Sequence, residues 1–221
     1  MTSQLKPIKL WGHAGPNPIK VAIVLEELGI PYETENIPFS EVKKLPYVAI
    51  NPNGRVPAIE DPNSGLTLWE SGAIIEYLIE KYDTDNKLSF PRGSKEDYLA
   101  RQWLYFQVSG QGPYYGQAVW FNKFHQEKLP SAVERYVNEI GRVTHVLEGY
   151  LAAQKAKGGS DGPWLVGNKL SFADLAFIPW QNYTLTGFIE GFDATKYPVV
   201  KEWLEKMLAL PSVQAALPKE G

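Results

Sequence analysis

The chain of 221 residues contains no cysteine. That excludes disulfides, thiolate metal sites and a protein thiol nucleophile together. If sulfur chemistry takes place here, the reacting thiol arrives with a ligand. There is also no excess of positive charge: 22 Lys and Arg against 25 Asp and Glu give a formal net charge of -3. Without a basic field to hold polyphosphate, nucleic acid is not expected as a partner, and an anion must be held by local dipoles and a few placed groups. Met1 to Lys9 lacks the apolar core of a secretory signal, and no run approaches a membrane span. The expected location is cytoplasmic, with no membrane partner. Asn182-Tyr183-Thr184 fits a glycosylation pattern, but it falls in an expected helix and is read as chance. The three histidines show no ligand spacing and no serine sits in a G-x-S-x-G turn, so neither a metal nor serine hydrolase chemistry is expected.

What is present divides into two patterns. Residues 7–12 are short and apolar, and Ile19 to Leu28 repeats apolar residues on nearly every turn until Gly29 and Pro31 end it. Tyr32 to Ile37 alternates as a second strand, which completes a βαβ unit. After an irregular stretch with Leu45, Tyr47 and Ile50 comes the turn Asn51-Pro52-Asn53-Gly54. A hairpin follows, Val56 to Glu60 and Leu66 to Trp69, and then a helix over Ser71 to Tyr82. From Asp83 onward strand patterns fade. Val133 to Leu151 keeps a 3.6-residue period, Ser171-Phe172-Ala173-Asp174 reads as a helix start, and Tyr197-Pro198 opens another helix. The expectation is an α/β thioredoxin-like domain over residues 1–86, a linker over 87–93 and an all-helical bundle over 94–221.

Three places in the first half would converge in such a fold. Val56-Pro57 opens a strand: a cis bond there would expose the Val56 N–H and C=O to a peptide-like ligand, while a trans proline at a strand start is the ordinary alternative. Glu70-Ser71 lies at a strand-to-helix junction. There Ser71 can offer its hydroxyl and N–H to a carboxylate, and Glu70 a carboxylate to an ammonium, unless the pair is a plain serine cap beside a surface glutamate. Asn17, in Gly15-Pro16-Asn17-Pro18, can cap the first helix or direct its amide at a ligand sulfur. A free thiol is only about 3% thiolate at pH 7, and lowering its pKa by two units takes about 2.7 kcal/mol. A helix amino terminus plus one donated hydrogen bond is of that order.

In the second half, Gly110-Gln111-Gly112-Pro113-Tyr114-Tyr115-Gly116 fails the spacing of a dinucleotide loop and is read as a break between helices. Tyr114, Tyr115, Trp120, Phe121 and Phe124 behind it can line an apolar pocket or fill a core.

Val56-Pro57 with Glu70-Ser71 behind a βαβ unit resembles the glutathione-binding domain of glutathione transferases. Ser171-Phe172-Ala173-Asp174 is similar to the helix-capping motif of that family's second domain. The segments 13–17, 51–57 and 69–74 are similar to the fungal nitrogen-regulator-like and bacterial nu-class subgroup. The resemblance implies a glutathione transferase fold in which the Val56 backbone, Pro57, Glu70 and Ser71 hold glutathione as co-substrate and Asn17 faces the sulfur. The family's catalytic tyrosine, serine or cysteine is missing, since no hydroxyl or thiol lies between Trp11 and Lys20. Lys43 and Lys44 fall in the segment that in this family faces the glycine carboxylate, so the resemblance implies that Lys44 meets it, with two solvated loop lysines as the alternative; it implies too that Arg135 reaches a second glutathione, where a solvated arginine is the alternative, and that the protein is a homodimer. Three functions follow as expectations: transfer of glutathione to a small electrophile, as in detoxification; reduction of glutathione disulfide-type bonds; or a non-catalytic glutathione-binding regulatory or carrier role.

Overall fold

The computed structural model describes residues 5–12, 15–158 and 162–217. These divide into two compact units, the described residues within 1–89 and 210–221, and those within 90–209.

In the first unit, β1 (Ile8–Trp11), α1 (Pro16–Leu28) and β2 (Tyr32–Glu35) form the expected βαβ unit. β3 (Ala58–Asp61), β4 (Leu66–Trp69) and α3 (Ser71–Tyr82) follow, after a single helical turn, α2 (Tyr47–Ile50). The sheet order is β2-β1-β3-β4. β1 runs parallel to β2, and β3 is antiparallel to both β1 and β4. This is a thioredoxin-like sheet. The first strand buries Ile8 and Leu10, whereas β2 at the edge is largely exposed, which shortens the regular pairing to Glu35 where the sequence pattern ran to Ile37.

α1 begins at Gly15, whose φ of 93° an L-residue with a Cβ rarely adopts, and Pro16 occupies a first-turn position where no N–H is needed. It ends at Gly29 in the left-handed region, with the Gly29 and Ile30 N–H groups closing on the Glu26 and Leu25 carbonyls. Asn17 is therefore inside the first turn and is not the cap. The last helix of the chain, α9 (Pro211–Ala216), packs on α1, and Ser212 Oγ donates to the Glu27 carboxylate. The expected helical half extended to residue 221, but this final segment groups with the sheet.

The second unit is helical throughout: α4 (Lys95–Phe106), α5 (Gly112–Val119), α6 (Pro130–Ala156), α7 (Phe172–Leu185) and α8 (Pro198–Leu208). The expected break at Gly110–Gly116 is absent. The chain stays helical, widening to a π turn over Gln107–Gln111 and again over Trp120–Phe124. Gly112 and Gly116 lie against the Trp180 ring, which accounts for small residues at a place that sequence alone marks as a break. Across the π turn runs a buried polar chain. Gln107 Nε2 donates to Gln111 Oε1 (3.0 Å), Gln111 Nε2 and Tyr115 OH both donate to Gln181 Oε1 (3.1 Å each), and Gln181 Nε2 donates to Thr184 Oγ1 (3.1 Å).

The start of α7 is a capping box. Ser171 N and Oγ both donate to Asp174 Oδ2, at 3.0 and 2.8 Å, while Leu165 N and Trp203 Nε1 donate to Oδ1. No helix among the described residues is long and apolar enough to cross a membrane.

Candidate functional site

The strand register brings the expected positions together. Trp11 pairs with Ala58, and Ala58 with Trp69, so the three residues form one row across β1, β3 and β4. Three segments leave the sheet at this row: the loop into α1 that carries Asn17, the Val56-Pro57 dipeptide before β3, and Glu70-Ser71 after β4. Because the rise is about 3.3 Å per residue in a strand, a one-row match keeps all three exits at the same end of the sheet.

The exits are in close contact. Gly12 has φ +90°, and a Cβ placed on it would lie 2.7 Å from the Val56 Cβ, so only glycine lets the β1 exit pass this near to the β3 entrance. The Val56-Pro57 bond is cis, and Pro57 is buried. Among the described residues neither the N–H nor the C=O of Val56 has a hydrogen-bond partner. The preceding turn is fixed from behind: Tyr47 OH and Asn51 Nδ2 both donate to the Arg55 carbonyl, at 2.7 and 2.5 Å, and Asn53 N donates to Asn51 Oδ1. Trp11, Tyr47, Val56 and Trp69 pack in one apolar cluster under this turn.

A cavity of about 220 Å³ opens beside the row, lined by Asn17, Phe39, Val42, Arg55 and Val56 together with Gly15, Pro16 and Gly54. A larger one of about 420 Å³ lies in the helical unit around Phe121, Val133 and Val137. The smaller cavity has the stronger claim on chemistry, because it meets an unpaired backbone, a helix amino terminus and placed polar side chains at once.

Glu70, not Ser71, occupies the cap position of α3, with φ 73° and ψ 112°, and its side chain makes no capping bond. Ser71 is the first helical residue, 7% exposed, and its hydroxyl has no partner among the described residues. The N–H groups of this first turn have no acceptor within the helix, which leaves a positive helix end beside an exposed carboxylate.

The two lysines of the irregular segment are engaged at the surface. Lys44 pairs with Glu41 at 2.9 Å, and Lys43 Nζ donates to the Asn53 carbonyl at 2.7 Å; neither lines the cavity. Arg135 is exposed on α6. Of the second-half aromatics, Tyr115 is wholly buried, Phe121 stacks on Tyr136 with centroids 5.6 Å apart, and Trp120 and Phe124 are exposed. His13 and Ala14 of the resembling segment lie outside the described residues.

Sequence reasoning passed over Phe39, Arg55 and Lys20. The first two lie in an irregular stretch without a period to place them, although Arg55 directly precedes Val56-Pro57. Lys20 sits in the apolar run of α1, yet it is only 1% exposed. Burial pushes its ammonium down to about 7, and the Glu70 carboxylate pulls it back upward. A lone lysine among apolar neighbours was the available signal. Among the described residues no group of three or more His, Cys, Asp or Glu could hold a metal ion.

Comparison with known proteins agrees with this geometry. Residues 6–80 match the model of the glutathione S-transferase N-terminal domain, and residues 113–211 that of the C-terminal domain. The chain is 59% identical over 218 residues to the glutathione S-transferase-like protein gedE of Aspergillus terreus, covering 97% of this chain and 96% of that protein. It is 38% identical over 243 residues to the transcriptional regulator URE2 of Saccharomyces cerevisiae, covering 96% of this chain and 68% of the regulator. The crystal structure of the glutathione transferase URE2P6 from Phanerochaete chrysosporium, in complex with oxidized glutathione, matches with a TM-score of 0.88 at 46% identity. That match covers 96% of this chain and 94% of the other. A thioredoxin-like sheet, three exits meeting at one row and both domain models in order leave one conclusion: the chain belongs to the glutathione S-transferase family.

Proposed function

We propose that this protein binds glutathione at the Trp11–Ala58–Trp69 row and uses its thiolate to attack a small electrophile. The observation that carries this reading is the register that puts Asn17, Val56 and Glu70-Ser71 at one sheet end. The unpaired N–H and C=O of Val56 suit the peptide backbone of the ligand, as an added strand would. The amino terminus of α3 and the Ser71 hydroxyl suit the carboxylate of the γ-glutamyl head, and Glu70 its ammonium. Asn17, in the first turn of α1 and on the cavity wall, donates its amide N–H to the sulfur. An amide has no useful basicity, so Asn17 stabilises a thiolate without accepting its proton. Lys44 remains a proposed partner of the glycine carboxylate, and Arg135 of a second glutathione.

A second reading is thiol–disulfide exchange. The thiolate attacks one sulfur of a glutathione-linked disulfide, a new S–S bond forms, and the other sulfur leaves as a thiolate. It is favoured by the absence of cysteine, since the ligands then supply every reacting sulfur, and by the oxidized glutathione bound in the Phanerochaete relative. Either reaction is assigned to a homodimer in the cytoplasm, and sedimentation at micromolar concentration tests the assembly.

The deciding experiment measures glutathione binding by calorimetry, with turnover of a chlorinated aromatic and of a small glutathione-reducible disulfide, for the wild type and Asn17→Ala. The expected result is binding by both proteins, turnover of at least one substrate, and a loss on the order of tenfold or more in the variant. Binding without turnover of either substrate would replace the enzyme by a regulatory or carrier protein, as the resemblance to URE2 allows. Undiminished turnover in Asn17→Ala would remove Asn17 from the sulfur.

A further inference from the structure

The turn that leads into Val56 is tied to α2 by two buried side chains. Tyr47 is 1% exposed and Asn51 2%, and both donate to the single carbonyl of Arg55, Tyr47 OH at 2.7 Å and Asn51 Nδ2 at 2.5 Å. Asn51 is engaged through its other polar groups as well. Its N–H donates to the Tyr47 carbonyl and its C=O accepts from Gly54 N, at 2.9 Å each, while its Oδ1 accepts from Asn53 N at 3.0 Å. The Tyr47 ring is held against Trp11 in the apolar cluster, and neither side chain lines the cavity. The Arg55 carbonyl and the Val56 N–H belong to one peptide group, which is trans. In a planar trans peptide the C=O and the N–H point in opposite directions. With its oxygen drawn to Tyr47 and Asn51, the group turns the Val56 N–H away from α2, where it meets no acceptor among the described residues. Arg55 and Val56 both line the cavity.

We propose that Tyr47 and Asn51 are positioning residues of the glutathione site: they aim and polarise the Arg55–Val56 peptide so that the Val56 N–H donates to the cysteinyl carbonyl of the ligand. The inference rests on the glutathione reading given above, in which Val56 meets the ligand backbone between the head group at Glu70-Ser71 and the sulfur at Asn17. Two donors on different residues fix the peptide plane before the ligand arrives, which removes an ordering cost from binding. A carbonyl that accepts two hydrogen bonds also draws electron density from its nitrogen, and each such bond strengthens the donated one by about 10–30%. The arrangement therefore favours a ligand with a peptide carbonyl at this point, independently of its thiol.

The test crosses a protein variant with a ligand variant. Calorimetry on the full chain gives Kd for wild type and Tyr47→Phe, each with glutathione and with an analogue whose cysteinyl carbonyl is a thioamide, a weak acceptor. Tyr47→Phe keeps the ring in its cluster and removes only the hydroxyl. It is expected to weaken glutathione about fivefold and the thioamide by less than about twofold. Equal losses with both ligands, or no loss with either, would mean that Tyr47 only supports the turn, and would overturn its role at Val56 alone. Equal affinity of the wild type for the two ligands would overturn the pairing of Val56 with the ligand backbone and this inference with it. Should Tyr47→Phe not fold, Asn51→Asp keeps the acceptor for Asn53 N, withdraws the donor to the Arg55 carbonyl and completes the same cycle.

Discussion

Buried polarity behaves in opposite ways at two places in this chain. In the helical unit it closes on itself: the Gln107–Gln111–Gln181–Tyr115 chain and the four donors around Asp174 leave their members satisfied within the unit. In the sheet unit the polar groups at the Trp11–Ala58–Trp69 row stay open among the described residues, with Val56 unpaired, Ser71 unpartnered and a helix amino terminus unopposed. An internally satisfied network adds rigidity and specifies one packing, whereas open groups at a strand end are held in reserve for a ligand. Substitutions at the closed networks should therefore be felt in stability, and those at the open row in binding and turnover.

The largest test of that contrast is Asp174→Ala. It leaves four donors, two of them main-chain N–H groups, without an acceptor and is expected to cost about 4 kcal/mol or more in urea denaturation. Gln181→Leu comes next, since it strips partners from Gln111, Tyr115 and Thr184 and should cost about 3 kcal/mol. Gly12→Ala, in the sheet unit, forces a Cβ against Val56 at positive φ and is expected to lose about 2 kcal/mol and weaken glutathione binding together. The smallest stability effect belongs to Asn17→Ala, within about 0.5 kcal/mol of wild type, despite its large effect on turnover. If Ser71→Ala destabilised the fold as much as Gln181→Leu, the contrast between open and closed polar groups would fail.

Two of the buried ionisable groups, Asp174 in the helical unit and Lys20 in the sheet unit, act on stability in different pH ranges. Burial pushes Asp174 up to about 6, while an unfolded carboxyl titrates near 3.9. The native state then holds its proton more tightly, so this contribution is present below about pH 4 and is lost as pH rises through 6. Lys20 is pushed down to about 7 against an unfolded value near 10.4. The unfolded state binds more protons between those values, so stability rises from about pH 7 toward 10. Urea midpoints measured against pH should lose the first slope in Asp174→Asn and the second in Lys20→Met. A slope that survives its own substitution would assign the titration to another group.

Much of the fold is legible in the chain because its signals are local. Gly29 and Pro31 end α1, the Asp61–Gly65 turn sets the hairpin, and Ser171 with Asp174 announces α7 three residues before its first buried turn is complete. Leu66–Trp69 and Ser71–Tyr82 fall where the pattern put them. Gly110–Gly116 misled because glycines that end a helix and glycines that admit a large ring are the same letters. Trp180, some seventy residues away, decides between them. The return of α9 to α1 was likewise invisible, since an amphipathic helix reports that it has a partner without saying which one.

For the site, the chain by itself determined which chemistry is available: no cysteine, no hydroxyl or thiol between Trp11 and Lys20, and a Glu-Ser pair at a helix start. Those are covalent facts, independent of the partner each segment finds. Tertiary structure decided what meets what. Strand pairing made Trp11, Ala58 and Trp69 one row, Gly12 let two exits touch, and helix packing took an unremarked Lys20 out of water. Periodicity records only whether a residue faces inward, while register and packing between distant segments fix the neighbours it meets there.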